Sequence, residues 1–203
     1  MTRVRERKGI AYRILAALPP ASLSRIKPIL TPISLENGQV LAKMDESLRH
    51  VYFINRGIVS VIKTMSDGRS VEIGAIGIEG MTSALPFLAF DKTVLDAIVQ
   101  IPGSAFQMSR HAAFEIIEED RAFQQIVRGY ARFALGQIGQ TAACHRLHHL
   151  EERCCRWLLI AHDSALSDTF PLTHEFLGMM LGSRRVGVSI ALGMLKKAGL
   201  IES

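Results

Sequence analysis

An α+β fold is predicted, on three observations. Short β-rich runs separated by Asn, Asp and Gly turns fill residues 33 to 108, no strand pattern returns after Met108, and the last third reads as short amphipathic helices joined by a glycine turn. The 203 residues, 48% hydrophobic and 21% charged, suffice to bury a core in one or two domains and exclude a disordered chain. No run of 18 apolar residues is present, so no transmembrane helix is expected. Met1 to Lys8 is basic but leads into no signal-peptide apolar stretch, so a cytoplasmic protein without a membrane partner is expected. Three cysteines, Cys144, Cys154 and Cys155, make no disulfide framework.

The elements follow in order. Ile10, Ile14, Leu15 and Leu18 recur at helical spacing, Pro19-Pro20 ends that run, and Ser22 is predicted to cap a short second helix through Leu23 and Ile26. Val51 to Ile54 and Ile58 to Ile62 read as strands joined by an Asn55-Arg56-Gly57 turn. Ser66 to Arg69 turns into Val71-Glu72-Ile73, and two more strands flank Pro102-Gly103. This pattern predicts an antiparallel barrel or sandwich. Ser109 is a candidate N-cap for a helix over His111 to Glu119. A helix from about Arg121 to His148 would span roughly 40 Å. Its apolar stripe of Phe123, Ile126, Val127, Tyr130, Phe133, Ala134 and Ile138 predicts a partner helix, most simply that of a second subunit.

Charge is unevenly placed. Residues 1–30 carry seven Lys or Arg against one acid, residues 31–170 thirteen against sixteen, and residues 171–203 four against two. The N-terminal excess suits either a solvated tail or a phosphate-seeking arm.

The segment from Phe170 to Ile201 carries the chemistry. Thr173 is predicted to cap a helix buried through Phe176, Leu177 and Met180; Gly182 turns the chain and Ser183 caps the next helix. That helix buries Val188, Leu192 and Leu195 and leaves Arg184, Arg185 and Ser189 on another face. Two short helices with Arg and Ser at the start of the second form a helix-turn-helix, whose second helix enters the DNA major groove. There an arginine can pair bidentately with guanine, or grip phosphate instead.

With these residues in view, the chain resembles the Crp/Fnr family of bacterial transcriptional regulators over essentially its whole length. The text carrying the resemblance is Val51 to Val61, the strand pair around Asp67-Gly68-Arg69, the long central helix and the segment Leu172 to Ile201. The resemblance implies an N-terminal effector-sensing β-roll of jelly-roll type (1–120), a dimerisation helix (121–149) and a helix-turn-helix DNA-binding domain (150–203). It also implies a homodimer reading a near-palindromic double-stranded site, contact with RNA polymerase, a small-molecule effector, and allostery that alters the separation or tilt of the two DNA heads. The family continues into a two-stranded wing, which this sequence, ending at Glu202-Ser203, lacks naturally or by truncation. Carried over by position, Thr173 and Ser183 lie near the DNA backbone with His174 and Glu175 as neighbours, Arg184 meets phosphate and Arg185 reads a base. Val186 and Ile190 stand where the family often places an acid and an arginine, and Ser189 completes the DNA-binding set.

The sensor departs from the family's cyclic-nucleotide pattern. Gly77 to Pro86 holds no acid in the Met81–Ala84 window, Glu79 serves only after a register shift, and Thr93 stands near the expected arginine, with Lys92 and Asp96 beside it. An anionic phosphate is poorly compensated there, so the signal is not expected to be cyclic AMP, and no cofactor is assigned. No cysteine precedes Cys144, so the family's N-terminal iron–sulfur cluster cannot be built. Cys144, His145, His148, His149, Cys154 and Cys155 gather soft and imidazole ligands around the hinge to the DNA domain, with His145 and His149 four apart. A second reading therefore makes the chain a ligand, metal, haem or redox sensor with weakened or lost DNA binding. No Gly-Xaa-Ser-Xaa-Gly, P-loop, His-Glu-Xaa-Xaa-His or Cys-Xaa-Xaa-Cys motif is present, so no enzyme is expected.

Overall fold

The computed structural model describes residues 13–83 and 92–202. The basic arm Met1–Lys8, Ile10, and Ala84 to Pro86 of the sensor window lie outside the described residues. The order is α1 (Arg13–Ala16), α2 (Pro20–Ile26), a 3₁₀ turn (Lys27–Ile29), β1 (Thr31–Leu35), β2 (Val40–Ala42), β3 (His50–Thr64), β4 (Ser70–Ile76) and β5 (Asp96–Ser109). Helices follow: α3 (Arg110–Glu119), α4 (Arg121–Leu147), α5 (Leu150–Ala165), α6 (His174–Met180) and α7 (Arg185–Lys197). The sheet is antiparallel in the order β1-β5-β3-β4, with β2 also paired to β5. Among the described residues no helix is long and apolar enough to cross a membrane.

Strand β3 is the common wall of three cores. Val51 and Phe53 face a cluster built with Leu15, Ile26, Phe123 and Val127 from the flanking helices. Tyr52, Ile54 and Val59 face the interior of the roll beside Leu35, Val99 and Ala105. Ile58 and Ile62 face Trp157, Ala161 and Met180 of the C-terminal helices. Inward positions therefore switch from even to odd numbers between Ile54 and Val59. One extra residue in a strand produces such a switch.

That residue lies in Asn55-Arg56-Gly57. It is a bulge within one continuous strand, where the sequence predicts a turn between two strands, and the β3–β5 register shifts on both sides of Arg56. Pro102-Gly103, likewise predicted to separate two strands, lies inside β5 opposite it. Gly57 has φ +96°, and a Cβ there would run into the carbonyl of Ile101; a Cβ on Gly103 would run into that of Arg56. The two long strands bend together only because glycine faces glycine. The predicted turn at Ser66 to Arg69 does form: Met65 N–H donates to the Arg69 carbonyl at 2.8 Å, and Gly68 takes φ +83°.

Helix caps explain the following boundaries. Ser109 accepts from the Ala112 amide at 3.2 Å, as predicted for the start of α3. Asp120 accepts from the Ala122 and Phe123 amides, both at 3.0 Å, and so opens α4. The Phe123 amide and the Ser22 hydroxyl hold its carboxyl below the usual range. Ser22 thus serves the start of α4 and is not the cap of α2, which Pro19 and Pro20 open by their fixed φ.

The apolar stripe of α4 is covered differently from the expectation. Phe123, Val127 and Tyr130 are buried in their own chain, and Ile126 and Ala134 pack against the same cluster. These five residues form the face with which α4 closes the roll, while Phe133 of the same predicted stripe is exposed on the outward side.

Candidate nucleic-acid interface

The C-terminal helices are built by local signals. In α5 the Glu152 carboxylate accepts from the His149 amide at 2.8 Å, completing a capping box. Thr173 caps α6 as predicted, accepting from the Phe176 amide at 3.2 Å, and the helix buries Leu177 and Met180 while Phe176, also predicted buried, is half-buried. Gly182 takes φ +58° at the turn. Ser183 is not the cap of α7: Arg184 occupies that position with no side-chain cap, and half-buried Ser183 donates its amide to the Gly178 carbonyl at 2.8 Å. A Cβ on Gly178 would lie 2.9 Å from the Ser183 carbonyl, so this glycine lets the turn close on α6.

Helix α7 buries Val188, Ala191 and Leu195, with Leu192 half-buried. Thr173, His174, Glu175, Arg184, Arg185, Val186 and Ser189 are all exposed. His174 Nδ1 meets Ser189 Oγ at 2.8 Å, and that hydroxyl donates to the Arg185 carbonyl at 3.0 Å. Ser189 Oγ therefore bridges the His174 ring and the Arg185 carbonyl. The start of α6 is thereby tied to the exposed face of α7. Among the described residues no carboxylate pairs with Arg184 or Arg185, and a sequence-blind grip on phosphate and a bidentate base contact are both open to them.

Sequence reasoning missed how this unit is seated. Glu72 of β4 is buried under α5, where it accepts from the Ser60 hydroxyl and from the Trp157 indole at 3.4 Å. Desolvation pushes its carboxyl up to about 7. Arg153 Nη1 donates to the Leu181 carbonyl at 2.8 Å, and Arg56 Nε to that of Ala165 at 3.2 Å. Nothing in Val71-Glu72-Ile73 signals a buried acid; Glu72 is enclosed by contact with Trp157 of α5.

The sensor side presents a cavity of about 80 Å³ between the roll and α4, lined by Val61, Ile76, Leu95, Tyr130, Phe133 and Ile138 among others. Among the described lining residues Asp96 is the one charged side chain; it accepts from the Met44 amide at 2.8 Å. Thr93 is buried and donates to the Leu95 carbonyl at 2.8 Å, Thr82 accepts from the Tyr52 amide at 3.1 Å, and Glu79 accepts from the Gly77 amide at 3.0 Å. Among the described lining residues, one carboxylate and no Lys or Arg face this cavity.

The cysteine and histidine segment is divided by a helix break. His145 lies in α4 and His149 is the N-cap of α5, so the pair does not share a helical face. Burial and the Arg153 guanidinium hold His145 below its ordinary value. Cys144 and Cys154 are buried, and burial pushes the Cys154 thiol up to about 11, away from a reactive thiolate. Among the described residues no group of three His, Cys, Asp or Glu is placed to hold a metal ion.

Comparison with known proteins adds the family. Residues 32–120 match the cyclic nucleotide-binding domain family, and residues 152–203 the Crp-like helix-turn-helix domain family. No curated protein matches the chain in sequence. The fold is similar to FixK2 from Bradyrhizobium japonicum, with TM-score 0.72 at 20% identity over 86% of this chain and 88% of that one. It is similar to the c-di-GMP responsive global regulator CLP from Xanthomonas campestris, with TM-score 0.71 at 13% identity over 91% and 95%. A CRP family transcriptional regulator from Thermus thermophilus gives TM-score 0.68 at 19% identity over 84% and 87%. With a cyclic nucleotide-binding-like sensor domain ahead of a Crp-like helix-turn-helix DNA-binding domain, the chain belongs to the Crp/Fnr family of transcription regulators.

Proposed function

We propose that the chain is a cytoplasmic homodimer that reads a near-palindromic DNA site and responds to a signal other than a cyclic nucleotide. Residues 1–120 sense, 121–149 dimerise and 150–203 bind DNA. RNA polymerase is the partner through which the bound dimer acts.

The observation that carries this reading is the exposed start of α7, where Arg184 and Arg185 project from a helix fixed on its other face by Val188, Ala191 and Leu195. Two such helices one turn of DNA apart, at ~34 Å, meet successive major grooves. Dimerisation is supported by the outward face of α4. Gly129, Phe133, Gly136, Gln140, Ala143 and Leu147 are all exposed and spaced alternately by four and three, the a/d rhythm of a coiled-coil seam. Phe133 is 46% and Leu147 75% exposed, and the three small residues permit close approach of a second helix.

The cavity beside Asp96, with no Lys or Arg among its described lining residues, supports a signal other than an anionic cyclic nucleotide. A route to the DNA head is available: Gln137, in the cavity wall, accepts from Arg156 of α5 at 3.0 Å, and the Arg156 charge acts on Glu72. The test is a binding selection from random duplexes at moderate salt, with and without cyclic AMP. An inverted repeat with half-sites one turn apart, recovered regardless of cyclic AMP, is the expected result. Sequence-blind binding, or recovery only with cyclic AMP, overturns it.

A further inference from the structure

Helix α7, the recognition helix of the proposed DNA-binding unit, carries an apolar line on its open face. Val186, Ile190 and Met194 are spaced four apart and are 70%, 60% and 44% exposed. Single exposed apolar residues are ordinary, but a line of three on one face marks a contact surface. Charge complementarity indicates its occupant: exposed Arg184 and Arg185 stand at the start of the line and exposed Lys197 at its end. Cations at both ends of an apolar strip suit a groove with phosphate rows on either side and methyl groups on its floor. The polar alternative on this face is restricted, because Ser189 Oγ is already hydrogen-bonded to the Arg185 carbonyl and to His174 Nδ1.

We propose that Val186 and Ile190 are specificity-determining residues that read the C5-methyl groups of two thymines in each half-site. The proposal rests on the DNA-binding reading above. Four residues of helix advance about 6 Å, close to two base-pair steps. The two side chains therefore meet thymines about two steps apart, while Arg185 supplies the hydrogen-bonded contact beside them. Neither Val nor Ile can accept from cytosine or donate to guanine, so methyl burial is the discrimination these positions offer.

The test uses the full chain and the duplex recovered by selection. Each thymine is replaced in turn by deoxyuridine, which removes the methyl group and leaves base pairing intact. Affinity is expected to fall about fourfold at two positions per half-site, the effect of one buried methyl. Val186→Ala should abolish the sensitivity at one of these positions and Ile190→Ala at the other, with melting temperatures unchanged because both side chains are exposed. A preferred duplex that is indifferent to uracil everywhere overturns the methyl proposal alone. Absence of any preferred duplex overturns the DNA reading and this proposal with it. If both alanine variants keep their DNA selectivity but lose self-association in sedimentation, the line belongs to a second copy of the chain and the proposal fails.

Discussion

Trp157 of α5 donates its indole N–H to the carboxylate of Glu72 on β4, joining the DNA-binding unit to the sensor sheet through a buried acid. The contact sits where Ile58 and Ile62 of the sheet meet Ala161 and Met180 of the helices, so the two parts share one core.

A pH dependence follows. Burial raises the Glu72 carboxyl to about 7 from an ordinary 4.5. The folded chain therefore keeps a proton that the unfolded chain has already lost, and stability falls as pH rises between those values, then levels off. The loss is on the order of 3 kcal/mol. His145, held low by burial, acts in the opposite sense as pH falls below its ordinary value, so the difference between wild type and Glu72→Gln isolates the acid. Urea denaturation should show the variant more stable than wild type at pH 8 and the advantage shrinking towards pH 5. An unchanged profile would contradict this.

The two arginines should separate by their effects on DNA. Arg185→Ala is expected to cost about 1–3 kcal/mol and to relax preference at one base position. Arg184→Ala should weaken all duplexes alike and lower the slope of affinity against salt by about one. Both are exposed, so melting temperatures should not move. Identical salt slopes and identical base preferences in the two variants would remove the assignment.

The outward face of α4 gives a variant that acts in opposite directions on fold and assembly. A Cβ on Gly136 meets nothing within 4 Å. Gly136→Glu should therefore raise the helix's own stability by about 1 kcal/mol while placing charge in the proposed dimer seam. Sedimentation should find a monomer with an undiminished melting temperature. A dimer that persists would move the interface elsewhere.

Paired glycines at the bend of the roll should differ sharply from a glycine in open space. Gly103→Ala drives a methyl into the Arg56 carbonyl and should cost at least about 2 kcal/mol. Gly68→Ala, with φ +83° but nothing within 4 Å, should cost about 1 kcal/mol. Urea midpoints compare them directly, and equal costs would contradict the close approach of β3 and β5.

Element order and two of the four predicted caps were legible in the sequence because they depend on neighbours in the chain, whereas Ser22 and Ser183 are engaged elsewhere. Ser109 and Thr173 cap as read, and the run from Arg121 stays helical. Asn55-Arg56-Gly57 was misread because a glycine at positive φ serves a hairpin and a bulge equally; the deciding fact is Pro102-Gly103 lying opposite on β5. The stripe of α4 is assigned to a partner from periodicity, which defines a face without saying what covers it; its own chain covers Phe123, Ile126, Val127, Tyr130 and Ala134 and leaves Phe133 exposed. Glu72 stayed hidden for the same reason: its burial comes from Trp157, 85 residues further along the chain.

In the proposed homodimer two recognition helices read one site together. The most direct test of this joint reading compares the selected duplex with one carrying about five additional base pairs between the half-sites, which turns one half-site to the opposite side of the DNA. Affinity should fall about 100-fold or more, because the second contact is no longer made within the same complex. Equal affinity for the two duplexes would show each chain reading DNA alone and would contradict the homodimeric regulator.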